Sequence, residues 1–195
     1  MGGQPVIDRD RLLDAAERAI RRDGAGISID AIAEEAGVTK PIVYARVGNR
    51  AELAEALTQR LADRLTEAIV LATRQRRTPR TRLVALIQSN LETLAENKEL
   101  FLFVTGGTTE DRPQQTLYFA SQSATLLAKS FAEARTKAGQ DPDVAVAWAY
   151  SLVGLLNMVS LWWVVESDEP AAKVAEQVAE LIWSGLADVA WMKSR

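Results

Sequence analysis

Lysine, arginine and tyrosine carry the chemistry of the stretch VTKPIVYARVGNR, residues 38–50. No acid occurs between Ala36 and Ala51, whereas Lys40, Arg46 and Arg50 are spaced along it with Tyr44 among them, in a chain of formal net charge −3. Cations that donate to phosphate oxygens, and a phenol that can donate or accept, suit a helix entering the major groove of duplex DNA. Acids on its outer face would be repelled there. The rest of the sequence offers little other chemistry. It contains no histidine and no cysteine, which removes imidazole bases, thiolate nucleophiles, disulfides and the usual zinc ligand sets. No carboxylate pair stands apart from ordinary solvated helix faces. No catalytic residue, metal site or cofactor is assigned, and an enzyme is not expected.

The elements that would position these side chains are legible around them. SIDAIAEEAGVTKPIVYARVGN reads as two short helices joined by a tight turn. Ser28 caps the first, whose inner face is Ile29, Ile32 and Ala33. Gly37 supplies a left-handed turn residue, and Thr39 caps the second, with Ile42 and Val43 facing inward. Ala33 and Ala36 permit close helix approach, and Pro41 is tolerated within the first turn. At about 100° per residue, Lys40, Tyr44 and Thr39 then point outward. Arg50 opens the next helix, where its charge and the free backbone N–H groups can both meet a phosphate. Acids and bases cancel over residues 1–50, so the attraction is local. The DNA-binding candidates are Ser28, Thr39, Lys40, Tyr44, Arg46 and Arg50.

With 195 residues, 48% of them apolar, the chain can fill a proper core. Apolar residues recur at helical spacing almost throughout, so the fold class is all-α, with about nine helices. Leu12, Leu13, Ala16, Ala19 and Ile20 form a first stripe between a cap at Asp8 and a stop at Gly24. Leu53, Leu57, Leu61, Leu65 and Ile69 form another along a long helix opened by the capping box of Asn49 and Glu52. Pro79, Pro113, Pro142 and Pro170 mark later helix starts.

Residues 144–165, VAVAWAYSLVGLLNMVSLWWVV, carry no charge and are long enough to span a bilayer. Polar residues are distributed along the stretch and acids flank it, so a helix buried on all sides in a soluble assembly is the preferred reading, with no membrane partner. Burial on all sides implies a second copy. The last helix supports a homodimer through Val178, Leu181, Ile182, Leu186 and Val189, with Gly185 allowing close approach. Two recognition helices about 34–36 Å apart would then read a palindromic double-stranded operator. Phe101, Phe103, Tyr118, Gln122, Trp148, Asn157 and Trp162 are candidates for an apolar, partly aromatic pocket for a small-molecule effector. The N-terminus lacks a secretory pattern, and a cytoplasmic location is expected.

The segment resembles the TetR family of transcriptional regulators. The matching positions are Ile29, Ile32-Ala33, Ala36-Gly37-Val38-Thr39, Tyr44-Ala45-Arg46-Val47 and Arg50-Ala51-Glu52-Leu53. Val47 stands where phenylalanine is usual and Arg50 where lysine is usual. The resemblance implies a helix-turn-helix domain over residues 1–52 and a ligand-binding and dimerisation domain over 53–195. It also implies a four-helix dimer interface from residues 143–166 and 170–192, and a lever helix at about 50–75 through which an effector lowers operator affinity. Repression is the expected sign. Because magnesium-bound tetracycline is held through a histidine in family members that bind it, that complex is not an expected inducer. The competing reading is a helical small-molecule-binding protein or enzyme without operator binding.

Overall fold

The computed structural model describes residues 7–106 and 112–185, except the side chains of residues 112–119 and 122. Among them are nine helices and no strand: α1 (Arg9–Asp23), α2 (Ile29–Glu35), α3 (Lys40–Val47), α4 (Arg50–Thr73), α5 (Pro79–Glu96), α6 (Lys98–Gly106), α7 (Arg112–Lys137), α8 (Ala145–Glu166) and α9 (Ala171–Ser184). They pack as two compact units. One combines residues up to 62 with 97–154, and the other combines 63–96 with residues from 155 onward. The division expected at residue 52 therefore falls inside α4, which runs through it unbroken.

In the first unit, α1 packs on α2, α3 and α6, and α2 packs on α3. The α1 stripe of Leu12, Leu13, Ala16, Ala19 and Ile20 is fully buried, as are Ile32, Val43, Leu53, Leu57 and Leu61. Each such leucine or isoleucine contributes about 1.5–3 kcal/mol relative to exposure. Asp8 caps α1 by accepting the Arg11 N–H at 2.8 Å. A separate small cluster joins Ala124, Ala149 and Val153 with Phe131.

α4 opens on the expected capping box. Asn49 Oδ1 accepts the N–H groups of Ala51 and Glu52 at 2.8 and 3.0 Å, and Glu52 Oε2 accepts the Asn49 N–H at 2.7 Å. Gly48 precedes it at φ 76°, and a Cβ there would lie 2.0 Å from Glu52 Oε2. Gly48→Ala therefore both strains the backbone and displaces the capping carboxylate. It is expected to lower unfolding free energy by about 2 kcal/mol, read as a shifted urea midpoint with an unchanged m-value.

In the second unit, α5 packs against α9. Ile87 and Leu91 meet Val174, Ala175, Val178 and Ala179, flanked by Leu155, Leu156, Val159, Trp163 and Ile182. Asn90 Nδ2 donates to the fully buried Ser160 Oγ at 2.9 Å. Arg80 pairs with Glu180 at 2.9 Å.

These contacts correct part of the expected dimer stripe. Val178 and Ile182 pack within their own chain, where α5 lies on that face of α9. Gly185 ends α9 at φ 66°, donating to the Leu181 carbonyl. Leu181 is exposed; Leu186 and Val189 lie outside the described residues.

α8 is long and apolar enough to cross a membrane. It is buried on one side only: Ala145, Ala149, Val153 and Ser160 face inward, while Val146, Trp148, Tyr150, Met158, Trp162 and Val165 are exposed. The expectation of a helix covered all round is not met within a single chain.

Candidate nucleic-acid interface

The reading surface is built on α2 and α3. Ser28 caps α2 by accepting the Ala31 N–H at 3.2 Å, which leaves its own hydroxyl proton available. Gly37, at φ 65°, makes the turn, a conformation that costs glycine little. The Val38 N–H then returns to the Ala33 carbonyl at 3.0 Å. Thr39 stands at the N-cap of α3 with no side-chain capping bond, and Pro41 sits in the first turn. Val43 and Val47 are buried, and this anchors α3 with its other face outward. On that face Tyr44 is 44% exposed. Arg46, also exposed, borders an open cleft with Arg9, Glu52 and Gln59.

Lys40 and Arg46 are not equivalent. Lys40 Nζ lies 2.8 Å from Asp30 Oδ2, in the first turn of α2. The hydrogen bond to Asp30 holds the Lys40 ammonium above its ordinary value, with a smaller push from Tyr44 beside it. Among the described residues Arg46 has no ion-pair partner. Glu35 is engaged elsewhere, accepting from Arg18 at 3.0 Å and from Arg22, bonds that hold its carboxyl below the usual range. α4 is braced to α1 by Arg60, which reaches Asp14 at 2.6 Å and Asp10 at 3.0 Å.

Arg50 departs from its expected role. Its guanidinium turns inward, donating to the Ile27 carbonyl and, at 3.2 Å, to the Ala25 carbonyl. It also lies 4.7 Å from the centroid of the Phe103 ring. Burial pushes the group below its ordinary value, and it remains a cation at neutral pH. The α1–α2 loop is held from a second side, where the Ala25 N–H donates to Glu99 Oε2 at 3.2 Å. Glu99 was not singled out in the sequence. A contact across 74 residues leaves no local signal.

Of the pocket candidates, Phe101 and Phe103 are 1% and 2% exposed and belong to the interior, with Arg50 on the Phe103 ring. Trp148 and Trp162, also pocket candidates, are 51% and 45% exposed in the single chain. Trp148 meets Phe131 edge-on and Arg135 at 4.8 Å. Asn157 is half-buried. The side chains of Tyr118 and Gln122 lie outside those described. No group of three or more His, Cys, Asp or Glu suited to a metal occurs among the described residues.

Two short helices, a left-handed glycine between them and an outward cationic face with an exposed tyrosine define a helix-turn-helix DNA-binding protein. Residues 12–57 match the family described as bacterial regulatory proteins, tetR family. Over these residues the chain is similar to the TetR family of transcriptional regulators. It is 25% identical over 185 residues to an uncharacterised HTH-type transcriptional regulator of Mycobacterium tuberculosis, covering 94% of this chain and 79% of that one. Identity is also 25% over 187 residues with the HTH-type transcriptional activator FasR of Mycolicibacterium smegmatis, covering 94% and 84%. The fold is similar to that of Thermus thermophilus FadR, a transcriptional repressor solved with lauroyl-CoA. The TM-score is 0.68 at 20% identity, over 91% of this chain and 94% of FadR.

Proposed function

We propose that the protein is a homodimeric cytoplasmic repressor that binds a palindromic duplex operator and is released by a small apolar effector. DNA reading lies within residues 1–52; effector binding and dimerisation lie within 53–195. The observation that carries the reading is the outward face of α3, where Lys40, Tyr44 and Arg46 meet no acid of their own helix. Thr39 and Ser28, at the N-caps of the two helices, supply hydroxyls for phosphates. Arg50 supports this surface from behind. Dimerisation is assigned to the exposed apolar face of α8, now including Trp148 and Trp162, together with Leu181.

A molecule with an apolar acyl chain is the first effector class to test, acyl-coenzyme A thioesters among them despite their anionic nucleotide end, because FadR of Thermus thermophilus was solved with lauroyl-CoA on a similar fold. Asn157 is retained as a polar group for its orientation. By linkage, an effector that weakens operator binding must itself be bound less tightly on the operator, by the same factor. FasR bears the name of an activator; repression is proposed here because an operator-bound dimer blocks transcription without needing a further contact.

Selection of bound duplexes from a random pool tests the reading and supplies the operator. Lys40→Ala and Tyr44→Ala are each expected to weaken operator binding about tenfold, or about 1.4 kcal/mol, with the sedimentation of the dimer unchanged. Unaltered mobility-shift titrations for both variants would reject α3 as the reading helix.

A further inference from the structure

Resting on the operator-reading role of α3, we infer that Asp30 is a specificity-determining residue of that surface. It tethers Lys40 at the base-reading position and withholds it from indiscriminate phosphate contact. The two side chains come from different helices, 10 residues apart, and meet at 2.8 Å across the turn. Both are well exposed, Lys40 at 42% and Asp30 at 68% of the side chain. An ion pair so open to water contributes little to stability, so folding does not account for the pairing. An acid in the first turn of α2 does favour the positive end of that helix, but this local benefit would not require Lys40 to reach across to it.

The pair bridges α2 and α3, the two helices that would lie against the duplex, and this gives the carboxylate a consequence. Lysine is a flexible point charge that can serve either a phosphate or a guanine edge. If Lys40 swings to a phosphate, Asp30 is left unpaired in the strongly negative field of the duplex. If Lys40 reaches a base edge from its tethered position, the ammonium still has a donor for Asp30, and the carboxylate stays neutralised. The carboxylate therefore penalises the sequence-independent mode and spares the specific one. Arg46, with no acidic partner among the described residues, supplies attraction that carries no such condition. Glu35 cannot take the same part, being held by Arg18 and Arg22.

The test uses the full-length protein and a 30-base-pair duplex of arbitrary sequence, titrated by fluorescence anisotropy over a series of salt concentrations. Asp30→Asn is expected to tighten binding to this duplex three- to tenfold. The slope of log affinity against log salt should steepen by about 0.9, the increment for one added phosphate contact. On the selected operator the gain is smaller, so the ratio of specific to nonspecific affinity falls. In Asp30→Asn combined with Lys40→Ala, the gain on arbitrary DNA should vanish relative to Lys40→Ala alone. An unchanged affinity and slope for Asp30→Asn overturns the inference. So does a gain that persists without Lys40, because the carboxylate would then act only through its charge. Wild-type protein that binds no duplex at low salt instead sinks the operator-reading function itself.

Discussion

Trp162→Arg is expected to leave each protomer folded and to dissociate the dimer, with self-association weakened about a thousandfold and operator binding falling with it. Along α8, Trp148, Met158, Trp162 and Val165 are 51, 67, 45 and 51% exposed. Met158, Trp162 and Val165 follow one another in steps of four and three. That spacing defines a narrow seam of the kind that packs helix against helix. Soluble proteins rarely leave so much contiguous apolar surface to water, and a second copy supplies a matching seam by symmetry. An arginine here is harmless in the isolated protomer, where water reaches it. In the dimer two unpaired guanidinium groups would be desolvated at a cost of several kcal/mol, of which about 4 kcal/mol corresponds to the thousandfold loss. Sedimentation velocity over a dilution series measures the effect, and circular dichroism establishes that the helices persist. A variant that sediments as the wild-type dimer, or a wild type that is monomeric at micromolar concentration, would remove α8 from the interface. If the two heads bind a palindrome together as proposed, a monomer keeps only half of the contacts.

What the sequence disclosed and what it concealed divide along the range of the interactions. Asp8, Ser28, Asn49 and Glu52 were legible as caps because each bonds to a backbone group three residues away or nearer. The inner faces of α1 and of early α4 follow from a 3.6-residue period, and the structure buries Leu12, Leu13, Leu53, Leu57 and Leu61 accordingly. Periodicity shows that a stripe is apolar but not what covers it. Val178 and Ile182 are as apolar as a dimer contact requires, yet α5 lies on them. Trp148 and Trp162 posed the reverse problem: their size suits a pocket, and only the packing shows that they face outward in the single chain. The Lys40–Asp30 pair and the clasp of Glu99 on Ala25 depend on how separate helices are placed, which no local spacing encodes.

Arg50 is the most consequential of these long-range contacts, and Arg50→Ala is expected to lower unfolding free energy by about 3 kcal/mol. The alanine would leave the carbonyls of Ala25 and Ile27 without their charged donor and uncover the Phe103 ring. A hydrogen bond to a charged group contributes about 1.5–3 kcal/mol and a partly buried cation–π contact about 1 kcal/mol. The cost of burying the guanidinium, evident in its lowered proton affinity, offsets part of that sum. Arg50→Lys separates this bracing role from the phosphate contact first expected at this position. A lysine keeps the charge but cannot bridge two carbonyls while lying flat on a ring, so most of the destabilisation should remain. A phosphate contact predicts the opposite pattern, with stability preserved in both variants. It also predicts that Arg50→Ala makes the salt dependence of operator binding shallower by about one unit. Measured well below the melting temperature of the variant, that slope should instead match the wild type. A shallower slope with unchanged stability would return Arg50 to the DNA surface and leave the α1–α2 loop held by Glu99 alone.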